Sequence, residues 1–526
     1  MIRINQIKLP IDHKEAALEK KIKKALHNTE YKQYKIVKRS IDARKKEELS
    51  YVYAVDVTLS KNQEEKFLKK NKNRNIMAVK EKVFEFPKNQ REFKYPPVVI
   101  GMGPAGLFAA LLLARAGLNP IVLERGKDVT NRMKDVEHFW ETGELNSESN
   151  VQFGEGGAGT FSDGKLNTMA KDKACRGKKV FETFVACGAP ADILYESHPH
   201  IGTDLLQNVI KNMREKIKQM GGEIHYSSCL TDMHVKNNKI EEIVINNNQT
   251  YPCDCLVLAL GHSARDTFQM LFKRGLLLES KPFAVGLRIE HPQKMINESQ
   301  YGQNYPVFLP PASYKLTYQT KEKRGVYSFC MCPGGYVVNA SSCQNHLVIN
   351  GMSEHKRDSK NANAALIVTV GPKDFGFDTF DGVKFQEELE KQAYDLKKGF
   401  IPMQKVKDFL DNKETTTLDD VEPITKGNVK MANLNEILPD FIKEALKEAL
   451  PAFGKKIKGY DRDDALLFGI ETRSSSPIRM KRSETLESNI SGVYVCGEGS
   501  GYAGGITTSA MDGLKCAEEI IKKYTK

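Results

Sequence analysis

The sequence VVIGMGPAGLFAALLLARAG, Val98–Gly117, decides the fold of this 526-residue chain. A short apolar run ends in glycines, and an apolar pattern long enough for a helix follows at once. Gly101, Gly103 and Gly106 have the Gly-x-Gly-x-x-Gly spacing, and Ala110 follows four residues on. In such a turn the first glycine permits the tight bend, the second lets the backbone approach a pyrophosphate, and the third lets helix and strand pack closely. The pattern predicts that a dinucleotide binds where the strand passes into the helix.

The start of this helix and the next strand strengthen the prediction. Pro104 and Ala105 open the helix, whose N-terminus offers free N–H groups and a positive dipole to phosphates. The following strand, PIVLER, ends in Glu124 and Arg125. A carboxylate at Glu124 can accept both ribose hydroxyls of an adenosine, and an acid there disfavours a 2′-phosphate. A structural turn without nucleotide is the alternative, and these residues leave open whether the nucleotide is NAD or FAD.

Length and composition exclude several classes of protein. Of the 526 residues, 40% are apolar and 28% charged, as in globular proteins, so a short repeat protein or a disordered chain is excluded. The chain exceeds the roughly 250–300 residues at which one core stops growing, so two or three domains are expected. The longest apolar stretch, residues 98–122, is interrupted by glycines, prolines and Arg115, so no membrane span is expected. The N-terminus lacks the features of a signal peptide, which favours a cytoplasmic location.

The cysteines and the charges add two more constraints. Ten cysteines without a regular framework fit a reducing compartment, and the lack of Cys-x-x-Cys argues against a dithiol redox centre and any metal site. Residues 1–95 hold 25 Lys and Arg against 13 Asp and Glu, whereas the remaining residues hold 54 of each. A basic surface attracts nucleic acid, anionic membrane or an acidic partner, although a solvated lysine-rich face explains it equally well.

The first 95 residues predict a small basic α+β domain of the ferredoxin type, β-α-β-β-α-β, joined by a linker at residues 87–97. Its expected elements are strand Ile2–Leu9, helix Lys14–Leu26, strands Tyr34–Ser40 and Tyr51–Leu59, helix Gln63–Lys70 and strand Lys82–Phe86.

The rest of the chain predicts an α/β fold with a doubly wound parallel sheet. Residues 96–270 form its first part, with a helix at Asp204–Met220, a hairpin at Glu223–Ile245 and a strand at Cys255–Leu260. The strand–helix rhythm then stops, so residues 271–460 are expected to be an inserted substrate or cap domain. Residues 461–526 return to the nucleotide-binding domain.

The C-terminal sequence GVYVCGEGSGYAGGITTSAMDGLKCAEEII, residues 492–521, is a strand, a glycine-rich turn and a helix. It resembles the flavin-closing motif of the glutathione reductase and para-hydroxybenzoate hydroxylase superfamily. The resemblance implies that Glu498, which is Asp in most members, binds the ribityl chain of a flavin. The helix N-terminus would then face the pyrimidine end, where N–H groups stabilise the charge of a reduced flavin. The cofactor residues implied here are Gly497, Glu498, Gly504, Gly505, Ile506 and Thr507.

Two further glycine-containing segments fit the same interpretation. CLVLALGHSARD, which contains Gly261, resembles the element that precedes the substrate insert in this superfamily. NVQFGEGGAGTFSDGKLNT, residues 150–168, is rich in glycine, so its backbone can lie against a flat ring or a diphosphate. Its candidate cofactor contacts are Gly156, Gly157 and Thr160. A flexible surface loop is the alternative for this segment.

From Val98 to Ile521 these motifs resemble a family of bacterial FAD-dependent dehydrogenases of unassigned substrate, related to the superfamily named above. Other segments that look like family signatures are KRSIDARKK, HIGTD, SFCMCPGGYVVNAS, INGMS and ETRSSSPIR. The resemblance extends over nearly the whole chain. It implies FAD as the cofactor and does not supply a substrate.

Five residues are candidates for chemistry. Cys330 and Cys332 lie two apart on an expected strand, so both thiols would share one face, with buried packing as the alternative. Arg473 precedes three serines and could hold an anionic substrate together with Arg479, unless these residues only cap a helix. Asp163 and Lys165 could act as acid, base or hydrogen-bonding groups. Weaker candidates are His262, Arg265 and Asp266.

The sequence therefore predicts an FAD-dependent oxidoreductase that acts on a small organic substrate, with NADH or NADPH as a possible transient reductant. Two alternatives stay open. One is a flavin monooxygenase, and the other is a flavoprotein that docks on RNA through residues 1–95.

Overall fold

The computed structural model describes residues 1–87, 94–168 and 170–523. Its first unit is an antiparallel sheet with two helices. Its strand order is β2-β3-β1-β4, and its apolar side chains form a core of their own. The elements are β1 (Ile2–Pro10), α1 (Ala16–Ala25), β2 (Gln33–Asp42), β3 (Ser50–Thr58), α2 (Lys61–Lys70) and β4 (Ile76–Ala78).

The last strand of this unit differs from the expectation, because it is Ile76–Ala78 and not Lys82–Phe86. The side chain of Asn71 donates to the carbonyls of Asn73 and Ile76, and this turn brings the chain back to the sheet early. Phe86 packs instead against the next unit, where the guanidinium of Arg115 lies 3.5 Å from its ring centre. The predicted linker falls largely on residues 88–93, outside the described residues.

The second unit begins with the glycine-rich strand–turn–helix of the sequence analysis. Its elements are β5 (Val98–Ile100), α3 (Pro104–Arg115), β6 (Ile121–Leu123), α4 (Val129–Thr142), α5 (Arg176–Ala186), α6 (Thr203–Gln219), β7 (Glu223–His225), β8 (Leu230–Lys236), β9 (Lys239–Ile245), β10 (Gln249–Pro252), β11 (Leu256–Leu258) and α7 (Arg265–Lys273). The expected hairpin over residues 223–245 is shorter, because β7 pairs with β6 in a parallel sheet and only β8 and β9 form the hairpin.

The third unit is built on a seven-stranded sheet with the order β14-β15-β18-β13-β22-β19-β21. Its elements are β12 (Leu278–Ser280), β13 (Phe283–Pro292), α8 (Gln293–Tyr301), β14 (Thr317–Gln319), β15 (Gly325–Cys332), β16 (Tyr336–Asn339), β17 (Ile349–Met352), β18 (Asn361–Val370), α9 (Pro372–Phe375), α10 (Asp381–Lys397), β19 (Ile401–Lys405), α11 (Val406–Leu410), β20 (Thr425–Lys426), β21 (Val429–Met431), α12 (Asp440–Gly454) and β22 (Leu466–Glu471). Since β22 lies between β13 and β19, this unit extends past residue 460 to Glu471.

The chain then returns to the second unit through β23 (Ile478–Met480), β24 (Val493–Val495) and α13 (Ile506–Lys523). Strand β24 completes a five-stranded parallel sheet of order β24-β11-β5-β6-β7. Helices α3 and α13 cover one face of this sheet, and the antiparallel strands β8–β10 cover the other. The strand order reverses at β5, and ligands of parallel sheets bind at such a switch point.

Helices α3 and α13 pack closely because a glycine lies at their contact. A Cβ at Gly513 would lie 2.1 Å from the carbonyl oxygen of Ala105. This contact places the first turn of α3 against the third turn of α13, although Ala105 and Gly513 are far apart in the chain. Within the described ranges, no helix combines the length and apolarity needed to cross a bilayer.

Candidate functional site

A cavity of about 360 Å³ lies at the ends of β5, β11 and β24, under the third unit. Most residues that the sequence proposed for the cofactor border this cavity: Gly101, Gly103, Pro104, Ala105, Glu124, Arg125, Gly157, Gly261, Glu498, Gly504, Gly505 and Ile506. The candidates for chemistry that border it are Asp163, Lys165, Cys330 and Arg473. The proposed residues that do not border it are Gly106, Gly156, Thr160, Gly497, Thr507 and Cys332. The fold thus joins the two glycine-rich corners in one cavity.

The first corner is shaped by close backbone packing. Gly101 has a φ of +96°, and a Cβ there would lie 2.4 Å from the carbonyl oxygen of Ala259. A Cβ at Gly106 would lie 1.9 Å from the carbonyl oxygen of Gly101, so Gly106 serves the turn and not the cavity surface. Gly103 borders open space, with Gly157 at 3.8 Å from its added Cβ. A ligand can therefore approach the backbone at Gly103 and Gly157.

The buried carboxylate of Glu124 is held by three backbone N–H groups. Met102 donates to it at 2.7 Å, and Gly126 and Gly154 each donate at 2.9 Å. A carboxylate offers about four lone-pair positions, so about one remains for a ribose hydroxyl. The neighbouring Arg125 lies at the same edge of the cavity, with its guanidinium 4.4 Å from the ring centre of Phe153.

The glycine-rich loop is organised by Arg132, a residue that the sequence analysis missed. This fully buried side chain donates to five carbonyl oxygens within residues 150–157 at 2.8–3.2 Å. A Cβ at Gly154 would lie 2.3 Å from Cδ of Arg132, so the loop wraps tightly around the guanidinium. Burial lowers the pKa of Arg132 to about 10, which still leaves it charged at neutral pH. The loop is therefore a rigid part of the site, and no sequence motif marked Arg132.

Four expected cofactor residues support the walls from behind. A Cβ at Gly156 would lie 2.2 Å from Oγ1 of the buried Thr160, so these two pack against each other. A Cβ at Gly497 would lie 2.6 Å from the Cβ of Ala105. The hydroxyl of Thr507 donates to the carbonyl of Leu166 at 2.8 Å. The structure thus places these residues in packing positions and not on the cavity surface.

The second corner is open and polar. A Cβ at Gly504 or Gly505 would meet no atom within 4 Å, and Gly505 has a φ of +84°. Helix α13 begins directly after them, and the N–H groups of its first turn have no acceptor within the helix. The Glu498 carboxyl borders the cavity without a hydrogen-bond partner among the residues that the structure describes. Burial raises the pKa of Glu498 to about 7, although Lys281 opposes the shift.

The side of the cavity formed by Asp163 carries a buried ion pair that joins two units. Arg357 donates to both carboxylate oxygens of Asp163, at 2.8 and 2.5 Å, and Nζ of Lys165 lies 3.7 Å from the same carboxylate. Burial alone would raise the pKa of Asp163, but the charges of Lys165 and Arg357 outweigh it and hold this pKa below its ordinary value. Asp163 is therefore ionised, and Arg357 is a contributor that no motif identified.

Arg473 borders the cavity, yet four of its five N–H donors are already engaged. Its Nε and Nη2 donate to Glu390 at 3.0 and 2.8 Å, and its Nη1 donates to Ser263 and Ser342. Arg265 also binds both oxygens of Glu390, at 3.0 and 2.8 Å. In this arrangement at most one N–H of Arg473, on Nη2, remains for the anionic substrate that the sequence suggested.

The neighbouring candidates around Arg473 have other positions. Arg479 points away from the cavity toward Glu279, 3.6 Å from its carboxylate, and strand β23 rather than a helix follows the serines. Asp266 pairs with Arg125 at 2.8 Å. His262 borders the cavity, where burial and the charge of Arg473 lower its pKa to about 3. His262 is thus neutral at physiological pH.

The two cysteines of β15 do not share a face. A bulge between Phe329 and Cys332 breaks the alternation of the strand, and Cys330 has a φ of +44°. Cys330 therefore borders the cavity, whereas Cys332 is buried with its Sγ 3.3 Å from the Cys330 carbonyl. Enclosure raises the pKa of Cys330 and raises that of Cys332 to about 12, so both remain thiols near neutral pH.

Comparison of the sequence with known proteins shows which family the chain belongs to. Residues 282–474 match the family described as FAD-dependent protein, C-terminal domain-like, and residues 1–58 match a domain of unknown function. A protein of Clostridium beijerinckii (strain ATCC 51743 / NCIMB 8052), described as an uncharacterized protein, is 50% identical over 532 residues and matches 99% of both chains. The chain belongs to the same family as this protein. Within this chain, the similarity to the C-terminal domain of FAD-dependent proteins lies in residues 282–474, which span most of the third unit.

Among solved structures, the chain is similar to a mutant of E. coli quinol fumarate reductase FrdA, with 12% identity and a TM-score of 0.35. This match covers 83% of the chain and 70% of that structure. L-proline dehydrogenase from P. horikoshii is 14% identical with a TM-score of 0.34, and the match covers 83% of the chain and 96% of the enzyme.

The residues around the cavity fit FAD on their own chemistry. Two helix N-termini, those of α3 and α13, offer free N–H groups at the two glycine corners, which suits a diphosphate and a flavin ring. The carboxyl of Glu498, unpartnered among the described residues, is an acceptor for a hydroxyl-rich chain between them. The open backbone at Gly103 and Gly505 leaves room where side chains would block such a ligand.

Proposed function

We propose that this protein is an FAD-dependent oxidoreductase that exchanges a hydride or electrons with a small organic substrate. The observation that supports it most is the single cavity onto which both glycine corners and the third unit open. One side of the cavity is built from backbone and suits a dinucleotide. The other carries ionisable side chains that suit a reacting substrate.

Each part of the backbone side has a role in holding the cofactor. The first turn of α3 and Gly103 would bind the diphosphate, and Glu124 would accept a ribose hydroxyl of the adenosine. Glu498 would accept hydroxyls of the ribityl chain, and the first turn of α13 would bind the pyrimidine end. When bound, FAD supplies the capacity to accept and return a hydride or electrons.

The third unit closes the site and supplies groups for the substrate. Its strand β15 places Phe329 and Cys330 at the cavity, so the unit forms the part of the wall that a substrate would contact. Lys165 and Asp163, 3.7 Å apart, are the charged pair through which a proton can be held or moved at this side. Because the pKa of Cys330 is raised, its exposed thiol stays protonated near neutral pH and is a poor nucleophile.

NADH or NADPH is the proposed reductant. The sequence has no second glycine-rich nucleotide turn, so the pyridine nucleotide would bind transiently and leave before the substrate is reduced. We propose a cytoplasmic location for the enzyme, in keeping with its unpaired cysteines.

The cofactor is tested on the purified full-length protein. We expect a flavin absorbance spectrum, and heat denaturation should release a compound that co-elutes with FAD and has its mass. Anaerobic addition of NADH and of NADPH should bleach the flavin band, and a panel of small acceptors should restore it. A protein that neither carries FAD nor binds added FAD would contradict the proposal. Formation of a transient peroxide-type spectrum on reoxidation with oxygen would indicate the monooxygenase alternative instead.

A further inference from the structure

One side of the cavity carries a lysine that has no hydrogen-bond partner among the described residues. We infer that Lys165 pairs with an anionic group of the substrate, of the carboxylate class, whose apolar remainder lies against Phe329. The inference rests on the proposed function, because it names the class of substrate for the same cavity.

The carboxylates near Lys165 are already paired with arginines. Asp163 is bound at both oxygens by Arg357. Glu471, which also borders the cavity, is bound at both oxygens by the fully buried Arg288, at 2.7 and 2.8 Å. Asp163 and Glu471 therefore each have a guanidinium of their own, so neither needs the charge of Lys165.

The contact between Lys165 and Asp163 is too long to satisfy the amine. Nζ lies 3.7 Å from the carboxylate oxygen, beyond the 2.7–2.9 Å of a charge-assisted hydrogen bond. The side chain of Lys165 keeps 32% of its surface exposed, and the residue borders the cavity. Three N–H donors are thus available to a ligand there.

The cluster of Glu390, Arg265 and Arg473 adds a second excess of positive charge near the same cavity. Two arginines, Arg265 and Arg473, share this one fully buried carboxylate. Glu387 lies 3.6 Å from Arg265 but is 39% exposed, so water screens its charge. Four of the five N–H donors of Arg473 are taken by protein groups, so this cluster attracts an anion mainly through its field, whereas Lys165 offers three donors for direct contact.

An apolar surface lies next to this positive side. Phe329 is 42% exposed although it is a large aromatic side chain, and it borders the cavity. Ligand pockets are lined mainly by apolar and aromatic side chains, and the exposed ring of Phe329 offers such a surface. A cation beside an aromatic face is the combination that recognises a carboxylate on an apolar body.

The experiment uses the FAD-loaded full-length protein and two probes of nearly the same shape, benzoate and the neutral benzamide. Titration of each is followed by the change in the flavin absorbance band. We expect saturable binding of benzoate at least about tenfold tighter than of benzamide, and weaker binding of benzoate as salt is added. Lys165→Met should remove this preference and leave benzamide binding unchanged, whereas Lys165→Arg should retain most of it.

Lys127→Met is the matched control, because Lys127 pairs with Asp135 at 2.8 Å on a part of the surface that does not border the cavity. It should bind benzoate as the wild type does. Equal binding of benzoate and benzamide to the wild-type holoprotein would overturn the inference, as would full benzoate affinity in Lys165→Met. A protein without FAD refutes the proposed function, whereas a yellow protein without preference for the anion refutes only this inference. The wild-type comparison decides the question even where a variant does not fold.

Discussion

The two sides of the cavity are built on different principles. The nucleotide side consists mainly of backbone, with glycines at the turns before α3 and α13 and free N–H groups at both helix N-termini. The opposite side consists of ionisable side chains that are paired over long stretches of sequence. Asp163 and Arg357 are 194 residues apart, and Arg288 and Glu471 are 183 apart.

This difference explains how each side can fail. A backbone side depends on space, so a single added methyl group can block it. A side built from buried ion pairs depends on charge balance, because removing one partner leaves the other charge buried and unpaired. The predictions below change one side at a time.

The largest expected loss of stability is on the side of the cavity that is built from ionisable side chains. Glu390→Gln leaves two buried arginines without their shared carboxylate, so we expect a loss of about 3–5 kcal/mol in the free energy of unfolding. The measurement is urea denaturation of the apoprotein. Glu387→Gln is the control, since that carboxylate is on the same helix but 39% exposed, and it should change the stability by less than about 1 kcal/mol. Equal losses in the two variants would refute the contrast.

The difference in stability between the wild type and Glu390→Gln should depend on pH. Burial alone would raise the pKa of Glu390, but Arg265 and Arg473 outweigh it and hold this pKa far below its ordinary value of 4.5. A depressed carboxyl pKa stabilises the folded state fully above the unfolded pKa, and this contribution is lost as the pH falls through the folded value. The stability gap between wild type and Glu390→Gln should therefore be constant near neutral pH and narrow below about pH 4.5. A gap that widens in acid would contradict this.

On the backbone side, Gly106→Ala should have the next largest effect. The new Cβ would lie 1.9 Å from the carbonyl oxygen of Gly101, and backbone cannot move aside cheaply. We expect a loss of about 2–3 kcal/mol in apoprotein stability together with loss of bound FAD. Gly504→Ala is the control, because its Cβ would meet nothing within 4 Å, and the apoprotein stability should change by less than about 0.5 kcal/mol. An equal loss of stability in Gly106→Ala and Gly504→Ala would show that the close packing around Gly106 is not the cause of the loss.

The smallest expected change in stability distinguishes Glu498 from Glu124, the two carboxyls on the backbone side of the cavity. Burial raises the pKa of Glu498 to about 7, so ionisation of this group costs stability as the pH rises from 4.5 through about 7. Glu498→Gln should therefore stabilise the apoprotein by about 1–2 kcal/mol near pH 8.5 and leave it nearly unchanged near pH 5. Thermal unfolding at the two pH values measures this. Glu124→Gln should destabilise the apoprotein instead, because the amide NH2 group would replace a carboxylate oxygen that accepts a buried backbone N–H.

Much of the backbone side could be predicted from the sequence. The spacing of Gly101, Gly103 and Gly106 and the C-terminal turn at Gly504 and Gly505 are local patterns, and the fold brings both turns to one cavity. The shared face of Cys330 and Cys332 was wrong, because a β-bulge depends on pairing with β18 and not on the strand's own residues. The final strand of the first unit was also wrong, since an asparagine turn reverses the chain before Lys82.

The local sequence alone determined the two glycine turns, their helices and the acidic residues that follow, because steric space and helix ends are properties of neighbouring residues. Only the tertiary structure decided which charges face the cavity. Arg132 inside the glycine loop, Arg357 on Asp163 and Glu390 between two arginines come from distant positions, and no local pattern marks such partners. Ion pairs depend on distances in space, so only the tertiary structure shows that Asp163 and Glu471 are paired with arginines and that Lys165 is left without a close carboxylate partner in the described part of the chain.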